Sequence, residues 1–127
     1  MAGNDAGLVY NDWPLMNGVL FPKDYFAAEG FWLFHAQAAV QFNHRIGAYL
    51  LFATALVFAA LVTRSREVAP ATKGLGVLMA VLVTGQACLG IATLMWRVPL
   101  SLGVLHQAGA ALVLGAGVCL AWRARRA

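Results

Sequence analysis

Three apolar segments, each long enough to cross a lipid bilayer, limit the folds open to this chain of 127 residues. They are residues 46–63, 74–95 and 98–122, and none contains Asp, Glu, Lys or Arg. A helix needs about 20 apolar residues to cross about 30 Å of hydrocarbon. Charged residues make up only 11% of the chain, against about 25% in soluble domains. The sequence therefore predicts an all-α membrane protein with three transmembrane helices, near residues 40–64, 72–95 and 99–123.

The basic residues indicate how these helices cross the membrane. Most of them lie either in the linker after the first helix or at the C-terminus: Arg64, Arg66, Lys73, Arg123, Arg125 and Arg126. The positive-inside rule places residues 64–73 and the C-terminus on the cytoplasmic or matrix side, and the aromatic-rich segment 1–39 outside. Because the basic residues flank apolar segments and form no continuous stripe, we expect membrane lipid around the chain and no nucleic-acid partner.

Two histidines lie at similar depths in the first and third helices. His44 precedes Arg64 by about 30 Å of helix, and His106 precedes Arg123 by about 25 Å. An ionisable residue inside a span is a functional candidate by default. Two neutral imidazoles at one depth are able to hold a haem iron from both faces. We therefore predict that the two histidines ligate one haem iron, with separate structural roles as the alternative.

Other polar residues near this pair have competing interpretations. Arg45 and Arg97 lie beside the predicted site, where a guanidinium is able to pair with haem propionates, although interfacial anchoring explains either arginine equally well. Gln86, in the middle of the second helix, is expected to form an interhelical hydrogen bond rather than contact a ligand. His35 is expected to be a solvated loop histidine.

A zinc site is disfavoured, because zinc usually takes three or four protein ligands. Cys88 and Cys119 lie deeper in the membrane than the two histidines, and their depths differ too much for a disulfide between them. Both are interpreted as small apolar residues, which is common for buried cysteine.

Five short motifs follow one another along nearly the whole chain. They are AGLVYNDWPLMNG (6–18), VQFNHR (40–45), LGIATL (89–94), VP (98–99) and LHQAG (105–109). The histidine motifs alone are weak signals, whereas the ordered set is specific. This set resembles the C-terminal half of haem A synthase, most closely the mitochondrial and alphaproteobacterial type.

The resemblance implies an eight-helix enzyme of the bacterial or mitochondrial inner membrane, built from two similar four-helix halves. Such an enzyme oxidises the C8 methyl of haem O to a formyl group, making haem A for cytochrome c oxidase. His44 and His106 would hold the haem b of the C-terminal half, with Arg45, Arg97 and Gln107 as further haem-binding candidates. The implied partners are haem O as substrate, the N-terminal half, haem O synthase and an electron donor.

Some features depart from the family pattern. The N-terminal half and one helix before AGLVYN are absent, so the catalytic residues stay unknown and we expect an upstream helix in a larger protein. His35 and Ala36 replace the usual Glu-Asn, and Asp12 replaces Thr or Ser. We therefore expect the isolated chain to bind haem without converting haem O. The alternatives are a bis-histidine cytochrome b without catalysis and a remnant that serves only as a scaffold.

Overall fold

Three long helices make up most of the chain in a computed structural model that describes residues 5–27 and 35–125. They are α1 (Gln37–Arg64), α2 (Pro70–Met95) and α3 (Leu100–Ala124). Each is long and apolar enough to cross a membrane, and the described ranges contain an isolated β-bridge but no strand. The predicted all-α membrane fold with three transmembrane helices is therefore confirmed.

Prolines and a tight turn set the helix ends. Pro70 is the first residue of α2, where its missing N–H would have had no helical acceptor. At the other end of α2, the Val98 N–H bonds to the Thr93 carbonyl at 2.8 Å and the Arg97 N–H bonds to the Leu94 carbonyl at 3.0 Å. This pair of bonds is a Schellman motif. Arg97 and Val98 both have positive φ, at 59° and 54°, so the chain reverses sharply into α3.

The central helix of the bundle is α2, which packs against both α1 and α3. Glycines bring the helices close together, as is usual in membranes. A methyl group on Gly76 would lie 2.7 Å from Cγ2 of Val62 on α1. A methyl group on Gly117 of α3 would lie 3.2 Å from Cε of Met79. The closest helix approaches are therefore those that α2 makes with its two neighbours.

The segment of residues 5–27 folds against the N-terminal end of α1. It begins with a 3₁₀ turn at Ala6–Leu8 and reverses direction at Asn17 and Gly18, whose φ angles are 51° and 81°. Positive φ at both central residues is the signature of a type I′ hairpin turn, for which Asn-Gly is the preferred sequence. Farther along, Phe21 and Tyr25 pack edge-on against Phe42 of α1, and Phe26 packs against Tyr25. The segment is thus a folded cap on the bundle.

The two groups of loops predicted from the charge pattern lie at opposite ends of the bundle. The cap and the turn at Arg97 share one end, since the Asn11 side-chain amide donates to the Leu94 carbonyl at 3.0 Å. The basic residues that end α1 and α3, Arg64 and Arg123, lie at the other end with the 65–69 linker. Arg126 lies outside the described residues. The cap and the Arg97 turn therefore lie at one end of the bundle, and the 65–69 linker and the C-terminal end of α3 lie at the other.

Candidate functional site

The imidazoles of His44 and His106 meet near the capped end of the bundle. Their ring centres are 6.3 Å apart and their planes are inclined by 76°. An imidazole nitrogen binds a metal at about 2 Å, and the ring centre lies about 1 Å farther away, so two imidazoles on opposite sides of one iron have centres roughly 6 Å apart. The distance between the two rings therefore suits ligation of one metal ion. His44 is exposed, whereas His106 is partly buried against α2.

Gln86 of α2 connects the second helix to this pair. Its amide nitrogen lies 2.7 Å from the backbone carbonyl of His106 and 3.1 Å from Nδ1 of the same residue. The predicted interhelical hydrogen bond from Gln86 is therefore confirmed, and its partner is one of the two site histidines. The Thr93 hydroxyl donates to the Leu89 carbonyl of its own helix at 2.7 Å, and the Leu102 carbonyl of α3 lies 3.4 Å from the same oxygen.

Two glycines make room for these side chains. A methyl group on Gly90 would lie 2.7 Å from Cε1 of the His106 ring, so the imidazole rests directly on the backbone of α2. A methyl group on Gly109 would collide with Oε1 of Gln86. Both close approaches exist only because these positions carry no side chain. The ring of His106 is thus confined by α2 on one side and by the Gln86 amide at Nδ1.

Arg45 lies next to His44 but turns toward the cap. It is 7% exposed, and its terminal nitrogens donate to four backbone carbonyls, those of Tyr10, Asp12, Pro14 and Leu15, at 3.0 to 3.4 Å. Its Nε is buried and has no hydrogen-bond partner among the described residues. The guanidinium therefore holds the cap against α1 and retains one unused donor.

Gln41, one helical turn before Arg45, was not among the residues predicted for this region. It is fully buried, and its amide donates to the Tyr10 carbonyl at 3.0 Å. The available signal was the pair of polar residues at i and i+4 at the start of an apolar span. Across the cap, the Tyr10 hydroxyl donates to Asp24 at 3.3 Å, and burial together with this carboxylate raises the pKa of Tyr10 above its ordinary value.

Three of the remaining candidate residues lie toward the capped end of the bundle, whereas the two cysteines lie deeper along α2 and α3. Arg97 is exposed on the turn between α2 and α3, and Gln107 is exposed on α3 beside His106. His35 is exposed immediately before α1. Cys88 and Cys119 are free thiols on exposed faces. The structure thus brings His44 and His106 together but does not gather the other candidates around them.

Comparison with known proteins gives this arrangement a family context. Residues 1–118 match the sequence model of the COX15-CtaA family, described as cytochrome oxidase assembly protein. The chain is 57% identical to a haem A synthase of Caulobacter vibrioides over 99% of its own length and 37% of the relative. It is 50% identical to one of Sinorhizobium fredii, over 97% and 34%, and 46% identical to one of Maricaulis maris, over 100% and 37%.

The matches cover nearly all of this chain and a smaller part of each relative. The chain spans about a third of the length of these curated relatives, and no solved structure matches it. The resemblance to haem A synthases that the short motifs indicated is confirmed by the relatives. Because the family model covers most of its residues, the chain belongs to the COX15-CtaA family of cytochrome oxidase assembly proteins.

Proposed function

We propose that this chain forms the C-terminal, haem b-binding half of a haem A synthase, with His44 and His106 as the axial ligands of the haem iron. The observation that carries the proposal is the 6.3 Å separation of the two imidazole centres, one on α1 and the other on α3. The family relationship is the reason to consider haem, and the ring separation supports the pair as the two protein ligands that a six-coordinate haem needs.

The set of donor atoms suits a haem better than a bare metal ion. Among residues 5–27 and 35–125, no group of three or more His, Cys, Asp or Glu side chains is placed to hold a metal. The porphyrin ring of a haem provides four nitrogen ligands to the iron, so the protein needs to provide only the remaining ligands. Two imidazoles in an apolar helix bundle are therefore a sufficient site for haem and an incomplete site for zinc.

The surroundings of the two histidines leave room and donors for a macrocycle. A methyl group on Gly47, one turn from His44, would meet nothing within 4 Å. In the proposal Arg45 holds the cap beside the haem through its bonds to the cap carbonyls. Arg97 and Gln107 then provide polar contacts to the haem propionates at the same end of the bundle.

The two-histidine site assigns this half a supporting role in the reaction. A haem bound here would supply a one-electron redox centre. Because imidazoles would occupy both axial positions, no coordination position would stay open for oxygen. We therefore place the oxidation of the haem O methyl in the N-terminal half. Haem O synthase and an electron donor would be the further partners.

The proposed location is the bacterial or mitochondrial inner membrane. The capped end would face outward, and the end with Arg64 and Arg123 would face the cytoplasm or matrix, as the positive-inside rule requires. Labelling of a cysteine placed at position 70 from the outer side alone would contradict this orientation.

The proposal is tested with the full chain, purified from membranes of cells that make haem b. We expect a low-spin, six-coordinate spectrum and a b-type pyridine haemochrome. His44→Ala and His106→Ala should each abolish the low-spin signal, because one axial ligand is lost. His35→Ala is the matched control and should leave the spectrum unchanged. A low-spin spectrum that survives both site substitutions would exclude this pair as ligands.

A second measurement separates the synthase from an electron-carrying cytochrome b. Haem O is supplied to membranes that contain this chain alone or together with the N-terminal half of a synthase, and the haems are then extracted and separated by chromatography. We expect haem A only when both halves are present. Haem A formed by this chain alone would make its own site catalytic, and no haem A with both halves would favour the electron carrier.

A further inference from the structure

The cap reaches down the side of α1 at Trp13, whose indole Nε1 donates to the Tyr49 hydroxyl at 3.1 Å. At the rise of an α-helix, Tyr49 lies about 22 Å from Arg64, the basic residue that ends α1. A helical side chain leans toward the N-terminal end of its helix, so the hydroxyl lies somewhat farther out than its backbone. Because the hydrocarbon of a bilayer is about 30 Å thick, the contact between Trp13 and Tyr49 lies at or just inside the hydrocarbon boundary.

The rest of the cap meets α1 at levels farther from the middle of the membrane. Tyr25 packs against Phe42, which lies about 33 Å from the same arginine. Met16 lies in one cluster with Ala38, a further turn toward the helix end. The cap therefore extends from the headgroup region down to the hydrocarbon boundary, and the contact at Trp13 is the deepest of these three.

The backbone beside Trp13 has the hydrogen-bond partners that this depth demands. Where water is scarce, carbonyl groups must find donors within the protein. Arg45 supplies these donors to four backbone carbonyls of the loop at residues 10–16, those of Tyr10, Asp12, Pro14 and Leu15. The Tyr49 hydroxyl supplies the acceptor for the indole N–H. The loop thus meets its polar requirements as segments at membrane depth must.

The outer surface of this loop continues the lipid-facing surface of α1. Trp13 and Tyr49 are each 43% exposed. Ile46 and Ala53, three residues before Tyr49 and four after it, share its helix face and are also exposed. Tryptophan and tyrosine are the residues enriched where a membrane meets water, because their rings are apolar and their tips are polar. The chemistry of the exposed surface at Trp13 therefore fits lipid.

We propose that the loop at residues 10–16 is seated in the lipid leaflet at the capped end of the bundle, with the Trp13 and Tyr49 rings at the boundary between headgroups and hydrocarbon. The bilayer is then a partner of the cap as well as of the helices. Lipid fixes the depth of the cap, while Arg45 fixes its position on α1. The inference depends on the transmembrane helices and is independent of haem.

The test uses the full chain with Trp13 as its single tryptophan, made by Trp32→Phe, Trp96→Phe and Trp122→Phe. It is reconstituted in phosphatidylcholine vesicles whose acyl chains carry bromine either near the headgroup or near the chain end. We expect strong quenching of Trp13 fluorescence by the shallow bromines, weaker quenching by the deep ones, and little quenching by iodide on both sides of the membrane. Strong quenching by iodide without quenching by bromine would overturn the inference.

A matched control carries the single tryptophan elsewhere in the same cap, through Lys23→Trp combined with Trp13→Phe. Lys23 is exposed, and a charged side chain marks a position in water. A tryptophan at position 23 should therefore be quenched by iodide and little by bromine. Equal quenching by bromine at both positions would contradict a specific seating of the loop at Trp13.

Tyr49→Phe tests the contact itself. Without the hydroxyl, the indole N–H of Trp13 loses its acceptor and must turn toward the headgroups to find one. We expect quenching by the shallow bromines to fall and quenching by iodide to rise, while circular dichroism shows unchanged helical content. Quenching of Trp13 that matches the chain with Tyr49 would show that this contact does not set the depth of the loop.

A protein partner is the other occupant that this surface could have. The quenching measurement is therefore repeated after the single-tryptophan chain is produced together with the N-terminal half of a synthase. Retained quenching by shallow bromines supports lipid as the occupant. Loss of quenching by both bromine and iodide would assign the surface to the protein interface and overturn the inference, whatever the haem content of the chain.

Discussion

The cap is attached to the bundle by one kind of contact, and the helices of the bundle are attached to one another by a different kind. The cap is fastened to α1 by directed polar bonds, above all those from Arg45 and Gln41 to backbone carbonyls. The bundle is joined by close contacts at glycines between helices, with Gln86 as an interhelical hydrogen-bond donor. The difference shows that the polar contacts of this protein are concentrated at the end that carries the histidine pair.

Polar and small residues are buried in this protein, whereas many large apolar residues are exposed. Within α1 the buried residues are small or polar, namely Ala38, Ala39, Gln41, Arg45, Ala55 and Ala59. Large apolar residues such as Leu50 and Leu61 are 65% and 64% exposed. In lipid the apolar side chains have no reason to turn inward, so small residues mark helix contacts and polar residues mark interactions. A buried polar residue is therefore the more informative signal in this chain.

The largest expected effect tests the cap. Arg45→Ala leaves four backbone carbonyls without their donor, and hydrogen bonds to a charged group contribute about 1.5–3 kcal/mol each. We expect the docking of the cap to weaken by roughly 3–5 kcal/mol, since such contributions are not additive. Hydrogen exchange at the amides of Met16 and Val19, which bond to each other in the hairpin, should become much faster.

Arg66→Ala is the control for that experiment. Arg66 is exposed in the linker between α1 and α2, so its loss removes a positive charge far from the cap. Equal protection of the cap amides in both variants would show that Arg45 is not the residue that holds the segment.

An intermediate effect is expected in the bundle, at Gly90. Gly90→Ala places a methyl group 2.7 Å from the His106 ring, and the ring is easier to move than the helices. We expect haem binding to weaken about tenfold or more, while the stability of the helix changes by no more than about 1 kcal/mol. Gly85→Ala on the same helix meets nothing within 4 Å. A comparable loss of haem in that control would argue against the contact at His106.

The smallest expected effect is a pH dependence of the cap. Burial and the nearby Asp24 raise the pKa of Tyr10, so the folded cap binds the phenol proton more tightly than the unfolded segment does. The resulting stabilisation is complete below about pH 10 and is lost as the pH rises through the higher folded-state pKa. Trp13 fluorescence, in a variant where it is the only tryptophan, should report the loss. Tyr10→Phe should shift this transition, and an identical alkaline transition would contradict the assignment.

The helical fold and the partnership of the histidines were accessible from sequence for simple reasons. Uncharged runs of bilayer length define helices regardless of their neighbours. The depth of His44 and His106 follows from counting residues to the nearest basic helix end, and the structure brings their rings together. The cap could be predicted only in part. Its Asn17-Gly18 turn is a recognisable hairpin signal, but no sequence pattern indicates that the hairpin docks on Arg45.

The sequence by itself therefore determined the number of helices, their lengths and the common depth of the two imidazoles. Each of these features depends only on the hydropathy and the number of residues within one segment, and not on contacts between segments. Only the tertiary structure decided that Arg45 turns toward the cap, that Gln86 bonds to Nδ1 of His106, and that Gly90 lies under the ring. These features depend on which helix faces meet and at what register. In a bundle whose apolar residues mostly face outward, the hydrophobic pattern carries little information about that register.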